Sequence, residues 1–403
     1  MKEALGEALG TRVERAVKLA GGASKEAWAV DTADGGELLV RRAGGGVIHL
    51  DTLPLRDEFE VLVAAREAGV RVPEPVAYLG DVEGREAFAM RRVGGETIGR
   101  RIVRNPPPGL ALQMADELAK VHGIAPERLP FLPRPAIWER LLEELDAIEE
   151  PHPAIEYGIA WCRERLPLER PRVVSHGDFR IGNLAVDEGG IVAVLDWEFA
   201  RVADPLEDLA WPLVRSWRFG ADDRHLGGID DAGPYLARYE ELTGLEVPRE
   251  ELGVWEVLGN VKWALGALRQ ARRHLRGEER SVELAILGRL AAEMEWELLD
   301  LIRRREGRSA PPLVSIEHKR SSLAHDRPSA GELAAAVHGF LEEEILPTLE
   351  DRRLRFRTLV AMNALTIVER EAPAPAARDA SAARRLRSGD VRPEDLDGLI
   401  ADV

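Results

Sequence analysis

The run His176-Gly177-Asp178-Phe179-Arg180-Ile181-Gly182-Asn183, followed by Asp196-Trp197-Glu198, constrains this chain more than any other stretch. Between the two runs, residues 184–186 and 191–195 are apolar and flank Asp187-Glu188-Gly189-Gly190, which reads as strand, turn, strand. A hairpin folds back on itself, so a fold built around it returns Asp196 to the neighbourhood of Asp178 and Asn183. Phosphoryl transfer from a metal-bound nucleotide needs these groups. One carboxylate takes the proton of the attacking hydroxyl, while an amide oxygen and a second carboxylate hold Mg²⁺ against the phosphates.

Farther along stands Ala203-Asp204-Pro205-Leu206-Glu207-Asp208-Leu209-Ala210. In this order the motifs resemble the catalytic core of the aminoglycoside phosphotransferase-like family, which carries HGD, four residues, Asn, and later an Asp-Trp or Asp-Phe metal motif. The resemblance implies an α+β, two-lobed protein-kinase-like fold. A small N-terminal β-rich lobe would precede a mostly helical C-terminal lobe, with a small all-α domain at the C-terminus. It implies Asp178 as the catalytic base, Asn183 and Asp196 as Mg²⁺ ligands, and His176 as a brace for the loop. It also implies Asp208 as the residue that holds the catalytic loop by hydrogen bonds. HGD alone recurs by chance, and a polar loop with accidental acids is the competing reading; the ordered set of motifs disfavours it.

A formal net charge of −16 over 403 residues argues against a general nucleic-acid or anionic-membrane partner. A nucleotide site must then be made locally positive by metal, Arg and backbone N–H groups. Cys162 is the only cysteine, so neither an internal disulfide nor a cysteine zinc cluster is expected. No apolar run has membrane-span length, and the start lacks a basic segment followed by an apolar core. The expected setting is a reducing cytoplasm.

Along the chain the pattern divides into a nucleotide-binding lobe at 1–96, a helical catalytic and substrate lobe at 97–305, a linker at 306–325 and a helical accessory domain at 326–403. Residues 1–19 read as a charged amphipathic helix or arm, and 21–26 as a turn. Strands are expected over 27–32, 37–41, 76–79 and 87–90, and a helix over 56–68 that stops at Gly69. Helical spacing continues over 110–121, 137–148, 255–275 and 282–302. In the last segment helices are expected over 329–346, where Ser329 and Glu332 would form a capping box, and over 352–369, with a short one over 393–400.

In kinase-like folds the position of Gly22-Ala23-Ser24 lies over the phosphates, where small residues let backbone N–H groups approach; Gly22 and Ser24 are therefore expected to bind nucleotide. A plain hairpin turn is the alternative for the same residues. The strand ending Val40-Arg41 corresponds to the one that carries the phosphate-gripping Lys of kinases, so Arg41 replaces that Lys. Glu58 matches the helix Glu that pairs with this cation. Met90, Arg91 and Val93 resemble the family's hinge, where adenine would bond the Arg91–Val93 backbone and Met90 would line the cavity behind. The resemblance implies ATP as donor, with GTP as an alternative.

On the acceptor side, Trp211, Arg215, Trp217, Arg218, Trp255, Trp263, Arg272, Arg273 and His274 follow Asp208. Such residues at helical spacing also serve as core and solvated faces. The mixture matches poorly the acid-rich sites that polycationic aminoglycosides need. Residues 279–299 are similar to the phosphotransferase domains joined to acyl-CoA dehydrogenases, which implies a hydroxyl-bearing acyl compound or other metabolite as acceptor. The expected activity is a small-molecule kinase. The alternatives are a catalytically silent nucleotide-binding module and a metal-dependent phosphohydrolase; the latter is disfavoured because one His joins the acids.

Overall fold

The computed structural model describes residues 1–19, 25–44, 52–166, 171–276, 278, 282–309, 334, 337–371, 380–389, 391–392 and 395–396. The chain forms two compact units, residues 1–140 with 165–259 and residues 141–164 with 260–403.

The first unit opens with helix α1 (Lys2–Leu9) and then a strand, β1 (Val13–Lys18), where the sequence suggested a charged amphipathic helix or arm over residues 1–19. Gly10, at φ +64, ends α1. The strand that follows joins an antiparallel sheet of β2 (Lys25–Thr32), β3 (Glu37–Ala43), β4 (Pro75–Asp81) and β5 (Glu86–Arg91), in the order β1-β2-β3-β5-β4. Strand β2 starts at Lys25, inside the stretch expected to be a turn, because Lys25 and Glu26 pair with Ala43 and Arg42 of β3. One sheet face buries Val30, Leu38, Val40 and Ala89 against Leu5 of α1. Helix α2 (Leu55–Glu67) packs on the sheet through residues such as Phe59, whose ring lies 5.7 Å from that of Phe88. It stops as expected before Gly69, at φ +79.

A short crossing leads from β5 to α3 (Gly99–Arg104) and α4 (Leu110–His122). Here Glu96 and Val186 exchange backbone hydrogen bonds of 2.7 and 3.0 Å. Gly95, at φ +105, makes the approach possible: a Cβ there would stand 3.1 Å from the Val186 backbone. Helix α5 (Ile137–Asp146) and helix α6 (Pro153–Arg165) follow, then the short pair β6 (Val173–Ser175) and β9 (Arg201–Ala203), joined antiparallel. Between them lies the expected hairpin, β7 (Leu184–Asp187) with β8 (Gly190–Val194). Helices α7 (Pro205–Ala210), α8 (Ala232–Thr243) and the first part of α9 (Arg249–Leu275) complete the unit.

The second unit gathers α6, the rest of α9, α10 (Val282–Arg305), α11 (Arg352–Glu371) and α12 (Ala380–Arg387). Its interior ties are polar as well as apolar. His152 Nδ1 lies 2.7 Å from Glu295, and Arg387 pairs with Glu156 at 2.8 Å and with Asp146. In place of one uninterrupted helix up to residue 346, Leu341–Ile345 winds as a π-helical turn and Leu346–Thr348 as a 3₁₀ turn. The tighter final turn carries Pro347, which has no N–H for an α-helical bond. The Ser329–Glu332 capping box, the 310–325 part of the linker and most of 393–400 lie outside the described residues. No helix of the described residues is long and apolar enough to cross a membrane.

Candidate active site

The loop after β6 is held from beneath. His176 N–H and Gly177 N–H donate to the two carboxylate oxygens of Asp208 at 2.7 and 2.9 Å. Asp208 is placed by α7, a helix that begins with Pro205 and is capped by Asp204, whose Oδ1 accepts from Leu206 N–H at 2.9 Å. Burial works against ionisation of Asp208, but the His122 imidazole at 3.3 Å and nearby cations hold its carboxyl well below the usual range. The other His122 ring nitrogen lies 2.6 Å from the Tyr239 hydroxyl, itself kept protonated by burial and the Asp208 charge. Gly177 sits at φ +82, and a Cβ there would meet Phe199 O at 2.3 Å, so HGD needs its glycine.

His176 is fully buried and braces the loop from within. Its Nε2 donates to Leu195 O at 3.0 Å, and its Nδ1 accepts from Asp178 N–H at 3.2 Å. An imidazole that donates through one nitrogen and accepts through the other is neutral. Burial pushes its pKa down accordingly, outweighing the charges of Asp208 and Asp178. The ring also stacks near Trp197, with centroids 4.6 Å apart.

Asp178 and Asn183 come together as the spacing implied. The Asn183 amide donates to Asp178 O at 2.9 Å and to Asp178 Oδ2 at 2.6 Å. Both acceptors are oxygens, so the NH₂ group faces Asp178 and Asn183 Oδ1 is left for another partner. Asp178 Oδ1 accepts from Arg180 Nε at 2.9 Å and Trp211 Nε1 at 2.6 Å, with 13% of the side chain exposed. A carboxylate so fixed and still open to solvent can take a proton from an oriented hydroxyl.

The hairpin delivers Asp196 to the same region, since Leu195 N–H donates to Asn183 O at 2.8 Å while Leu195 O accepts from His176. Asp196 adopts φ +67, a left-handed conformation uncommon outside glycine and of the kind found at functional sites. Its Oδ1 accepts from Arg41 at 2.9 Å. Burial disfavours its charge, but Arg41 holds the carboxyl below its ordinary value.

Arg41 also lies 3.1 Å from Glu58, the pairing expected from β3 and α2. The sequence reading missed the cation beside it. Lys25 Nζ lies 2.6 Å from Glu58 Oε2, 3.2 Å from Glu198 Oε2 and 3.3 Å from Leu53 O, which occupies all three of its protons. Burial, then the Asp196 charge, push the Glu198 carboxyl up. Lys25 lies in the stretch expected to be a turn, and strand alternation does not reveal it: it is out of phase with the buried Val30 and Thr32, and only pairing with Ala43 places it in the ladder.

The hinge residues lie at the end of β5 and just beyond it. Met90 is buried, Arg91 N–H donates to Glu74 O and Arg92 N–H to Glu37 O. Among the described residues the Val93 N–H donates to no backbone acceptor. Gly22 and Ser24 lie outside the described residues, although the strands flanking them are in place.

The sequence pattern of the phosphotransferase enzyme family matches residues 15–242, more than half of the chain. The chain belongs to this family. Its fold is the kinase-like one of the aminoglycoside phosphotransferases. A candidate aminoglycoside phosphotransferase from Ralstonia eutropha JMP134 superposes with a TM-score of 0.60 at 22% identity, covering 74% of this chain and 98% of that one. Spectinomycin phosphotransferase in complex with ADP and spectinomycin superposes with a TM-score of 0.54 at 14% identity, covering 74% and 97%. Among curated relatives, chicken (Gallus gallus) acyl-CoA dehydrogenase family member 11 is 33% identical over 327 residues, 72% of this chain. The chain spans 40% of that relative's length.

Proposed function

We propose that the chain is a small-molecule kinase that moves the γ-phosphoryl group of Mg²⁺-bound ATP to a hydroxyl of a metabolite, within a cytoplasmic setting. The observation that carries this reading is the Asp178–Asn183 pair: a solvent-reached carboxylate fixed by three side-chain donors, beside an amide whose oxygen is left over. Residues 1–96 would bind nucleotide and 97–305 would supply catalysis and the acceptor pocket.

Asn183 Oδ1 and the remaining oxygen of Asp196 are hard donors. Among the described residues no group of three or more His, Cys, Asp or Glu could hold an ion. Two protein oxygens suit Mg²⁺, which keeps the rest of its shell for phosphate and water. When bound there it would neutralise phosphate charge. His176 and Asp208 keep the loop rigid, Arg41 stands where it can reach phosphate, and Glu58 with Lys25 fixes that strand. The backbone of Arg91 and Val93, with Met90 behind, would take adenine; Gly22 and Ser24 would cover the phosphates. Neighbours of the fold hold ADP in one case and GDP in another, which supports a purine nucleotide as donor, with ATP as the first choice and GTP as the alternative.

Asp178 would accept the proton of the attacking hydroxyl, and most of the acceleration would come from positioning and charge. The wall beside it is Arg180, Trp211 and Trp217, which suits a polycationic aminoglycoside poorly. Together with the acyl-CoA dehydrogenase relative, it favours a hydroxyl-bearing acyl metabolite. The test is a mass-spectrometric screen of a metabolite mixture with ATP and Mg²⁺. A compound gaining one phosphate only with enzyme, nucleotide and metal is expected. Mg²⁺-dependent nucleotide binding with no phosphorylated product across acyl, sugar and amino-alcohol panels would turn the reading toward a silent module.

A further inference from the structure

The cations around the site are not equally committed. Lys25 and Arg41 are locked among Glu58, Asp196 and Glu198, so those two positive groups face three carboxylates. Arg180 differs. It follows Asp178 by two residues along extended backbone, at φ −151 and ψ 165, so its side chain shares a side with Asp178 while Phe179 between them is buried. Its Nε donates to Asp178 Oδ1 at 2.9 Å, and its guanidinium carbon lies 4.3 Å from the ring centroid of Trp217. Trp211, 5.3 Å from Trp217 between ring centroids, donates to the same oxygen. Nε and the stacked face are therefore used. Among the described residues neither terminal nitrogen of Arg180 donates to an acceptor, and 22% of the side chain is exposed. The chain leaves room for one of them: a Cβ at Gly182 would stand 2.3 Å from Arg180 Nη1.

We propose that Arg180 is a second phosphate-gripping residue, fixed beside the base to hold the transferring phosphoryl group between nucleotide and acceptor. The inference rests on the phosphotransferase reading above. The acceptor oxygen forms a bond to the γ-phosphorus, the bond from that phosphorus to the β–γ bridging oxygen breaks, ADP leaves with the electron pair, and the hydroxyl proton passes to Asp178. A hydroxyl hydrogen-bonded to Asp178 has the phosphorus about 3–3.5 Å away before reaction. The two free N–H edges of Arg180 belong to a group already bonded to that same carboxylate. Charge on the moving group spreads over three equatorial oxygens, and the planar fork of Arg matches two of them. Its stacking on Trp217 and its bond to Asp178 fix the fork in advance, so little side-chain entropy is lost when phosphate arrives.

The test needs no acceptor. Affinity of the full-length chain for Mg·ADP is compared with affinity for Mg·ADP plus fluoroaluminate, which mimics the planar phosphoryl group. The wild-type chain is expected to bind the fluoroaluminate complex more tightly. Arg180→Gln should lose that gain by a factor of about 10²–10³ with Mg·ADP affinity unchanged, of the order seen when one charge-stabilising donor is removed. Arg180→Lys should keep part of the gain, and Gly182→Ala, which crowds Nη1 while leaving the charge, should lose part. A full gain in Arg180→Gln, or no gain in the wild type despite Mg·ADP binding, overturns the proposal. Absence of Mg·ADP binding by the wild type instead removes the phosphotransferase reading itself.

Discussion

In the loop from His176 to Asn183, polar groups meet partners within the loop, on the neighbouring hairpin or on one nearby helix. Asn183 reaches back to Asp178, His176 to the Asp178 amide, and Asp208 collects two successive N–H groups. The charged cluster of Lys25, Arg41, Glu58, Asp196 and Glu198 is built the other way, from β2, β3, α2 and the end of the hairpin, with pairs separated by 33 and 155 positions. One half of the site is a local device that presents a base. The other is a tertiary device that fixes charges, and it exists only when both the sheet and the hairpin are folded. The difference implies that damage to the loop should appear in rate, and damage to the cluster in stability.

The largest effect should come from the loop. Asp178→Asn keeps the size of the side chain but removes the proton acceptor, so turnover of an identified acceptor should fall by about 10²–10⁴. Mg·ADP affinity should change little and thermal stability should fall far less than turnover, because the amide of Asn keeps an oxygen that accepts from Arg180 and Trp211. Steady-state kinetics beside calorimetric nucleotide binding checks this. Unchanged turnover would remove Asp178 from the role of base and with it the contrast drawn between the two halves.

The contrast also explains what the chain discloses before it is folded. Asp178, Asn183 and Asp196 are legible because a short spacing and a two-strand hairpin fix them; so is Asp208, because Asp204-Pro205 starts a helix that must carry it inward. Lys25 is not legible. It follows a glycine-rich stretch, so local chemistry favours a turn, and only pairing with Ala43 across the ladder makes it strand. The early strand β1 is hidden for the same reason: with Glu14, Arg15, Val17 and Lys18 all exposed it lacks strand alternation and reads as a charged arm until β2 lies beside it. Arg180 lay in plain view within the loop, but nothing in the sequence says that its terminal nitrogens stay unspent.

A smaller effect, in stability, should come from the cluster. Lys25→Met leaves Glu58 and Glu198 buried with Arg41 as their remaining cation. Removing one partner of a buried pair costs about 3–5 kcal/mol, and the presence of Arg41 places this case near the lower end. Arg41→Gln leaves the Lys25–Glu58 pair intact, so it should cost less stability than Lys25→Met while weakening Mg·ADP binding more. Urea unfolding of both variants, with unchanged m-values, measures the first part, and titration calorimetry the second. Equal stability losses would mean that the two cations share one structural role.

The smallest effect returns to the loop and concerns pH. The buried neutral His176 has a pKa below its unfolded value of about 6.5. Its contribution to stability is therefore complete above that value and is lost as the pH falls toward the lower folded value, because only the unfolded chain takes up the proton. Over that window stability should fall with decreasing pH by up to about 1.4 kcal/mol per pH unit from this group alone. His176→Gln can keep a donor for Leu195 O but cannot titrate. It should be less stable at pH 7.5, since Asp178 N–H loses its acceptor, yet its stability should decline less steeply between pH 6.5 and 5. Unfolding free energies of both chains across that range give the difference directly. Parallel curves would show that His176 is not the group taking up the proton, and would leave its bonds to Leu195 and Asp178 as its whole contribution to the loop.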